Sequence, residues 1–467
     1  MKLTRYSPFE EISGNGSLPI RFFLTPEMMP DQETLAQLKN LATAPGLQRY
    51  VTVLPDVHRK SRNLSPTGTV VAAKNALVPR AVDTGINCGM RMVLTDIDAR
   101  ELTPPILDDL FGKLKNSIPV FEHEQERFSP KDVVEILVRG CQWSQKEFGL
   151  SDHERNCIEN RGTMPTDTND DEAILACMPE KSTKKGARCL GTLGDGNHFL
   201  ELQEIAEILN RDLANRLGLC EGKAFFMLHT GSRTVGSKMM KAYLRELEEK
   251  FLASRSKAAG PIWSVPADSE EGVKFARALA AASNFGFANR IVITDRLRRA
   301  VRQALHDESL EMPLLYDCGH VSIKAEMWQG ERLWIHRHGA SRALPPSQLQ
   351  EHPVFSRTGQ PVPIPGSMGH ASYVGVAGEQ AAEAFCSVNH GAGRVLDKPE
   401  ALLRFTERQV QREMLDKNIR LYRYGSGEIA EQAPGSFKDI SQVIEAMSAF
   451  SLALPVARLR PLAVLKG

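Results

Sequence analysis

A set of histidines recurs along this chain, each at the end of a short apolar run or inside a glycine-rich turn. They are His198 in LGTLGDGNHFLELQ, His229 in FFMLHTGSRTVG, His320 in PLLYDCGHVSIKAE, His336 and His338 in LWIHRHGASRA, and His390 in NHGAGR. One such histidine is more often a hydrogen-bonded core residue than a ligand. Several indicate strand ends that converge on one cleft, where imidazoles bind a metal at about 2.0–2.2 Å.

Cys88, in the turn INCGMR, extends this pattern. A thiolate there would add a soft ligand and favour Mn, Fe, Co or Zn over Mg. The alternative is a buried free cysteine. The eight cysteines form no CxxC pair, which argues against a disulfide framework or a zinc knuckle.

Apolar and β-branched runs bounded by glycine and proline predict strands. They are Tyr50–Leu54, Gly68–Ala73, Met90–Leu94, Ala224–Leu228, Leu314–Tyr316, Leu333–His336 and Ala371–Val376. Helical periodicity predicts helices over Ser237–Lys257, Gly272–Leu305 and Pro399–Asn418. Thr163–Cys189 passes from acidic to basic with little apolar pattern, which predicts a solvated loop, or alternatively a flexible basic edge for a phosphodiester.

Composition narrows the class of protein. The 467 residues contain no repeat, low-complexity tract or long linker, so one intertwined domain is favoured. The net charge of +1 indicates no nucleic-acid partner by itself, and such a contact would need a local basic patch. The chain lacks an N-terminal signal peptide and any apolar run long enough to span a bilayer, so we expect a soluble, cytoplasmic protein.

Two glycine-rich stretches suggest nucleotide contacts. GTLGDGNHF is not a P-loop, because no Gly-Lys-Ser/Thr follows it. Its neighbours Asn197 and Glu201 flank His198, and a carboxylate there can accept hydrogen bonds from the edge of guanine. IPGSMGHASYV offers Ser367, Ser372 and small residues that allow a nucleotide to approach closely. A tight turn is the alternative for each stretch.

The ordered motifs resemble those of the RtcB family of GTP-dependent RNA ligases over nearly the whole chain. They are PDVH (Pro55–His58), INCGMR (Ile86–Arg91), LGTLGDGNHFLE (Leu190–Glu201), HTGSRTVG (His229–Gly236), NFGFANR (Asn284–Arg290), YDCGH (Tyr316–His320), HRHGASRALPP (His336–Pro346), IPGSMGHASYV (Ile364–Val374), HGAGR (His390–Arg394), APGSFKD (Ala433–Asp439) and RLRPLAVLKG (Arg458–Gly467). The resemblance implies an α+β fold, with central β-sheets flanked by helices around a metal and nucleotide cleft. It also implies one domain over 1–467 with a helical, loop-rich insertion at roughly 100–188.

The resemblance assigns roles to individual residues. It implies that His390 is the nucleophile that becomes guanylylated by GTP, that Asp56 orients it, and that Arg394 offsets phosphate charge. It implies one or two Mn²⁺ ions, with ligands Cys88, His198, His229 and His320. For guanine recognition it implies Glu201, Phe437 and Lys466. The remaining nucleotide contacts that it implies are Asn197, Phe199, Pro365, Gly366, Ser367, Met368, Ser372, Gly391, Ala392 and Gly393.

Several positions depart from the family pattern. Gly85 stands where the family usually has an aspartate that contributes to the second metal, and Asp83 lies two residues earlier, a displacement of roughly 6.6 Å along an extended chain. Val321 replaces a common asparagine, His338 a lysine and His370 a threonine. Phe437 replaces a tyrosine and so loses the phenolic hydroxyl. These departures indicate a diverged paralogue.

The implied activity is GTP- and Mn²⁺-dependent joining of RNA 3′-phosphate or 2′,3′-cyclic phosphate ends to 5′-hydroxyl ends, in tRNA splicing or RNA repair. The expected partners are tRNA or damaged RNA, with an archease-like activator as a candidate helper and no membrane. One alternative is a non-ligating relative that binds nucleotide or RNA ends. Another is a metal-dependent phosphodiesterase that opens cyclic phosphates.

Overall fold

The computed structural model describes residues 8–11, 17–61, 63–123, 127–251, 260–425 and 428–467. The strands are β1 (Phe9–Glu11), β2 (Ile20–Phe22), β3 (Leu47–His58), β4 (Thr67–Ala73), β5 (Ala76–Leu77), β6 (Gly89–Asp98), β7 (Phe199–Ile208), β8 (Lys223–Thr230), β9 (Val265–Pro266), β10 (Leu314–Gly319), β11 (Val321–Trp328), β12 (Glu331–His338), β13 (Ala340–Arg342), β14 (Pro361–Ile364), β15 (Ser372–Ala377), β16 (Ser387–Asn389), β17 (Arg420–Arg423) and β18 (Ala453–Lys466).

The α-helices are α1 (Gln32–Ala42), α2 (Pro104–Ser117), α3 (Pro130–Arg139), α4 (Cys141–Phe148), α5 (Asp152–Asn156), α6 (Asp171–Leu175), α7 (Ser182–Cys189), α8 (Arg211–Leu217), α9 (Arg233–Phe251), α10 (Glu270–Leu305), α11 (Lys398–Arg404), α12 (Glu407–Asp416) and α13 (Ile440–Ala449). Short 3-10 helices cover Pro26–Met28, Pro79–Ala81, Ala99–Glu101, Glu159–Gly162, Pro346–Gln348, Glu379–Ala384, Ile429–Gln432 and Pro434–Ser436. Among the helices of the described residues, none combines the length and apolar character that a membrane crossing requires.

Two large sheets organise the molecule. One has six strands in the order β1-β2-β3-β4-β12-β11, and the other runs β10-β6-β8-β7-β18-β15-β14, with β17 parallel to β18. The sheets meet where β10 of the larger sheet passes directly into β11 of the smaller one, with His320 as the residue between them. The structure therefore confirms the predicted α+β class.

The long helix α10 supports the loops at this junction. It begins after the N-cap Ser269, and every residue of Ala278–Thr294 is buried, so this part of the helix has no solvent-facing side. The Asn289 side chain accepts a hydrogen bond from Gly191 N and donates to Thr192 O and Gly231 O. Buried amides and carbonyls need such partners. The motif NFGFANR on α10 therefore holds the loops of the cleft in place.

A buried ion network ties the same helix to the larger sheet. Arg290 Nε donates to Asp317 Oδ1 at 2.9 Å, and Arg91 Nη1 donates to Asp317 Oδ2 at 2.8 Å. All three side chains are fully buried. Arg290 also donates to the backbone oxygens of Asn87 and Thr230, which adjoin Cys88 and His229 in sequence.

The predicted strands are confirmed, with small differences at their ends. The helix predicted over Gly272–Leu305 is confirmed within α10, and the helix predicted over Ser237–Lys257 within α9 as far as Phe251. Residues 252–257 of that second prediction lie outside the described residues.

Two predictions were wrong. Pro399–Asn418 forms two helices rather than one, because Thr406 begins α12 with a reciprocal capping box to Gln409. Thr163–Cys189 is not simply a solvated loop, since it contains α6 and α7 and buries Ile174 and Cys189 in a hydrophobic cluster.

Candidate active site

Residues far apart in the sequence meet at one edge of the larger sheet. His320 directly follows β10, and Cys88 directly precedes β6. His229 is near the end of β8, and His198 directly precedes β7. These four strands are antiparallel neighbours, so the end of one lies beside the start of the next. The topology alone thus brings the four predicted metal ligands together.

The donor atoms of this cluster lie close to one another. Cys88 Sγ is 3.2 Å from His229 Nε2 and 3.3 Å from His198 Nε2. The donor atoms of these three residues all lie within 4.8 Å of one another. His320 Nε2 lies 3.2 Å from His229 Nε2. Ligands at about 2.0–2.3 Å from a tetrahedral ion are about 3.3–3.8 Å apart, so donor atoms 3.2–3.3 Å apart are close to the spacing that a divalent metal requires.

Hydrogen bonding fixes the tautomer of His229. Its Nδ1 lies 2.9 Å from the carbonyl oxygen of Asn197. Because a carbonyl can only accept, Nδ1 carries the proton and Nε2 presents its lone pair toward Cys88 and His320. Burial raises the pKa of the Cys88 thiol to about 11. A metal bound there would displace that proton, as thiolate ligation requires. The donor set therefore fits a divalent transition ion.

Arg233, in the motif HTGSR, is a site residue that the sequence reasoning did not single out. Its Nη1 donates to His198 Nδ1 at 3.0 Å, and its Nε donates to Thr192 Oγ1. Arginine has no acceptor, so this contact places the proton of a neutral His198 on Nε2. A metal can bind His198 Nε2 only when the ring proton has moved to Nδ1. Arg233 must then give up its hydrogen bond to Nδ1.

His390 is held by a buried carboxylate. Its Nδ1 donates to Asp56 Oδ2 at 2.6 Å, and its backbone N–H donates to the same oxygen at 3.1 Å. Asp56, near the end of β3, is fully buried, whereas the His390 side chain is 20% exposed to the cleft. Since Nδ1 carries the proton, Nε2 has a free lone pair. The ring centroid of His390 lies 4.8 Å from that of His320, so this nitrogen adjoins the donor cluster.

The HGAGR loop packs directly on β3. Gly393 has a φ of +75°, and a Cβ there would lie 2.2 Å from the backbone oxygen of Asp56, so only glycine fits. Arg394 stacks over the Phe437 ring at 4.8 Å and donates to the backbone oxygens of Leu396 and Glu431. Its buried Nη1 has no hydrogen-bond partner among the described residues. An anion in the cleft would satisfy this donor.

A buried acid and a buried lysine lie on adjacent strands beside this loop. Glu201 on β7 pairs with Val464 on β18, two residues before Lys466. Burial raises the pKa of Glu201 to about 7 and lowers that of Lys466 to about 7. Lys466 Nζ donates to Gly196 O at 2.9 Å, and Gln203 Nε2 joins Glu201 to Ser372 Oγ. Lys466, near the chain end, is thus a buried residue of the cleft.

These groups line one cleft of about 660 Å³. Every predicted site residue except Asp56 contributes to its wall, and Asp56 lies directly behind His390. His336, in contrast, is a core residue. Its Nε2 accepts from Val78 N, and its Nδ1 donates to Trp334 O, so neither nitrogen is available to a metal.

Comparison with known proteins decides the family. A protein-family model described as tRNA-splicing ligase RtcB matches residues 37–467. The chain belongs to the RtcB family. Three relatives are each named tRNA-splicing ligase RtcB. That of Thermococcus kodakarensis is 33% identical over 94% of this chain and 92% of its own length. Those of Methanococcus maripaludis and Aeropyrum pernix are each 32% identical, over 93% and 94% of this chain and 92% and 93% of their own lengths.

The departures from the RtcB pattern cluster around the cleft. His338 is buried, with its ring nitrogens 3.2 Å from Ser65 Oγ and 3.3 Å from Thr67 Oγ1. His370 Nδ1 lies 2.9 Å from Ser367 Oγ. Val321 accepts a backbone hydrogen bond from Asn87, the residue before the predicted ligand Cys88.

Asp83 does not reach the donor cluster. Lys60 forms an ion pair with Asp83 Oδ2, and Thr84 N donates to Asp83 Oδ1 at 2.6 Å. Lys60 lines the cleft with Gly85 and Cys88, and the sequence reasoning missed it. Its position two residues after PDVH was the available signal.

Proposed function

We propose that this protein is a GTP-dependent RNA ligase that joins an RNA 3′-phosphate or 2′,3′-cyclic phosphate end to a 5′-hydroxyl end through a guanylylated His390. One observation carries the proposal: a histidine with a free Nε2, oriented by a buried aspartate, faces a Cys/His donor cluster in a closed-in cleft. Membership of the RtcB family and the name of its relatives agree with it.

In the first step, His390 Nε2 attacks the α-phosphorus of GTP. The Nε2–phosphorus bond forms, the bond from the α-phosphorus to the bridging oxygen breaks, and pyrophosphate leaves. Asp56 holds the Nδ1 proton and stabilises the positive charge that develops on the ring. The unpartnered Nη1 of Arg394, in the HGAGR loop, is available to donate to phosphate oxygens.

The guanine base would bind between β7, β18 and the loop that carries Phe437. The Glu201 carboxylate accepts the N1–H and N2–H₂ of guanine, Phe437 stacks on the base, and Lys466 completes the pocket. Asn197, Ser367 and the backbone of Gly391–Gly393 line the path to the phosphates.

GMP then passes from His390 to an oxygen of the RNA 3′-phosphate, which restores the free imidazole. The 5′-hydroxyl of the second RNA end attacks that phosphate, forms the phosphodiester and releases GMP. A 2′,3′-cyclic phosphate is first opened by water to the 3′-phosphate. Cys88, His198, His229 and His320 would hold Mn²⁺. The ion, when bound, polarises the triphosphate and stabilises pyrophosphate as it leaves.

We further propose that residues 1–467 form a single ligase unit with a helical insertion at roughly 100–188. Its RNA would be a cleaved tRNA or another damaged RNA, with an archease-like protein as a candidate activator. The basic side chains at the rim of the cleft, Arg59 and Lys398, are suitably placed to meet an RNA backbone.

The proposal is tested with two short RNAs, one ending in a 3′-phosphate and one beginning with a 5′-hydroxyl, incubated with the protein, GTP and Mn²⁺. We expect a joined product that requires GTP and is lost in His390→Ala. Opening of a cyclic phosphate without GTP and without joining would instead identify a phosphodiesterase. Tight binding of GTP or RNA ends with neither reaction, across Mn²⁺, Zn²⁺ and Co²⁺, would identify a non-ligating relative.

A further inference from the structure

We propose that the Cys/His cluster holds a single divalent ion, and that Lys60, anchored on Asp83, supplies a fixed positive group beside Gly85 and Cys88. The inference deepens the proposed function, on which it rests for the identity of the phosphates. The number of bound metal ions depends on the donor atoms of the protein and not on which phosphates bind.

The supply of anionic donors limits the number of ions. Two divalent ions in one site lie about 3.5–4 Å apart, and bridging or flanking anions must offset their repulsion. Here the imidazoles are neutral, and the thiolate of Cys88 is the anionic donor of the cluster. In the part of the chain that the structure describes, no carboxylate joins the group formed by Cys88, His198 and His229.

Six carboxylates line the cleft, and none of the six belongs to the donor group of Cys88, His198 and His229. Glu201 accepts from Gln203, Glu431 pairs with Lys398, and Glu428 is exposed. Asp83 is occupied at both oxygens, by Lys60 and by the backbone N–H of Thr84. Asp195 lines the cleft but is exposed and lies outside the donor group. Asp397 caps the start of α11 by accepting from Lys398 N. None of the three is therefore placed to hold a second ion beside Cys88.

Gly85 supplies no carboxylate to the donor cluster. A Cβ built on Gly85 would have Cys88 Cβ at 3.9 Å as its nearest neighbour, which is ordinary contact. A Cβ at position 85 would thus contact the Cys88 side chain without a clash. Because the natural residue is glycine, the chain leaves this direction without a carboxylate.

Lys60 offers a fixed cation in the same region. It lines the cleft together with Gly85, Cys88 and His338. An ammonium has three donors, and the bond to Asp83 uses one of them. The ion pair holds the flexible side chain in place, so the remaining N–H groups can meet a phosphate oxygen at little further entropic cost.

The first test counts metal. The purified chain is dialysed against excess Mn²⁺, and bound Mn is measured by mass spectrometry of the element and by EPR. We expect one ion per chain for the natural sequence and for Asp83→Asn, and two for Gly85→Asp. The matched control Gly85→Asn, which adds the same bulk without charge, should remain at one. Two ions in the natural chain, or one ion in Gly85→Asp, would overturn the single-ion claim.

The second test concerns Lys60. Binding of a non-hydrolysable GTP analogue with an α,β-methylene bridge is measured by calorimetry at saturating Mn²⁺. We expect Lys60→Met to weaken binding about tenfold with the Mn count still at one, because a charge-assisted contact to phosphate is lost. Lys60→Arg should stay within about threefold of the natural chain, since it keeps the charge.

Lys74→Met, which removes an exposed lysine outside the cleft, is the matched control and should not change binding. Unchanged affinity in Lys60→Met would refute the assigned role. If no guanylylation occurs but the ion count is one and Lys60→Met weakens binding, the proposed function fails while this inference stands.

Discussion

Replacement of Asp56 gives the most informative prediction, because two substitutions there separate orientation from charge. Asp56 Oδ2 accepts from both the ring Nδ1 of His390 at 2.6 Å and its backbone N–H at 3.1 Å. In Asp56→Asn, the side-chain oxygen and not the NH₂ group should face His390, because the backbone N–H of His390 needs an acceptor there. The tautomer of His390 is therefore kept and only the negative charge is lost.

The magnitudes follow from these contacts. A hydrogen bond to a charged group contributes about 1.5–3 kcal/mol. Loss of the charge alone in Asp56→Asn should cost about half of one such bond, or about 0.8–1.5 kcal/mol, which is about 4- to 13-fold in rate. Asp56→Ala removes both bonds to a fully buried group, and a loss of about 3–4 kcal/mol slows guanylylation by about 10²–10³-fold.

The assay is the rate at which label from α-labelled GTP enters the protein in a single turnover with Mn²⁺. Thermal unfolding of each variant checks that it is folded, and Asp212→Ala, on the exposed face of α8, is the matched control. Labelling of Asp56→Ala within threefold of the natural rate would refute the orienting role. Equal losses in the Asn and Ala variants would refute the separation of charge from orientation.

Three further predictions follow from the cleft and its supports. Asp317→Asn removes the carboxylate partner of the buried Arg290 and leaves the buried Arg91 with Glu154 alone, so it should lower the free energy of unfolding by about 3–5 kcal/mol in urea, whereas Asp212→Asn should change it by no more than about 0.5 kcal/mol. Burial raises the pKa of Glu201 to about 7, so its carboxylate is lost as the pH falls below 7, whereas Lys466, whose pKa burial lowers to about 7, gains its charge over the same range. The weakening of GTP binding by Glu201→Gln should therefore be larger at pH 8 than at pH 6. Phe437→Ala should weaken GTP binding by about 1–3 kcal/mol through lost stacking, and Phe437→Tyr should not; calorimetry measures both. A stability loss below about 1 kcal/mol for Asp317→Asn, an effect of Glu201→Gln that is the same at pH 8 and pH 6, or unchanged GTP binding in Phe437→Ala would contradict the respective argument.

The candidate ligands could be found from the sequence because each lies at the end of an apolar run or inside a glycine-rich turn. Their convergence could not, since it depends on β10, β6, β8 and β7 being neighbours, and no local pattern encodes that order. The sequence also could not separate His336 from the candidate ligands. It follows a similar apolar run, but both of its ring nitrogens hydrogen-bond to backbone groups. The roles of individual residues came from the resemblance to the RtcB family.

Long cationic side chains were missed for a related reason. Lys60 and Arg233 act through the tips of flexible side chains, and their partners Asp83 and His198 are set by the tertiary structure. Helix α7 was missed because its buried residues are mostly small and leave little hydrophobic periodicity. The break before α12, in contrast, has a visible signal, because Thr406 and Gln409 have the spacing of a capping box.

The proposed chemistry requires His390 to take GMP from GTP, and mapping of the protein–GMP adduct shows whether it does. The protein is incubated with GTP and Mn²⁺, digested under alkaline conditions that preserve a phosphoramidate, and the peptides are sequenced by mass spectrometry. We predict an acid-labile GMP group on His390 and none in His390→Ala. A GMP group on another residue, or no GMP adduct with Mn²⁺, Zn²⁺ or Co²⁺, would contradict this assignment.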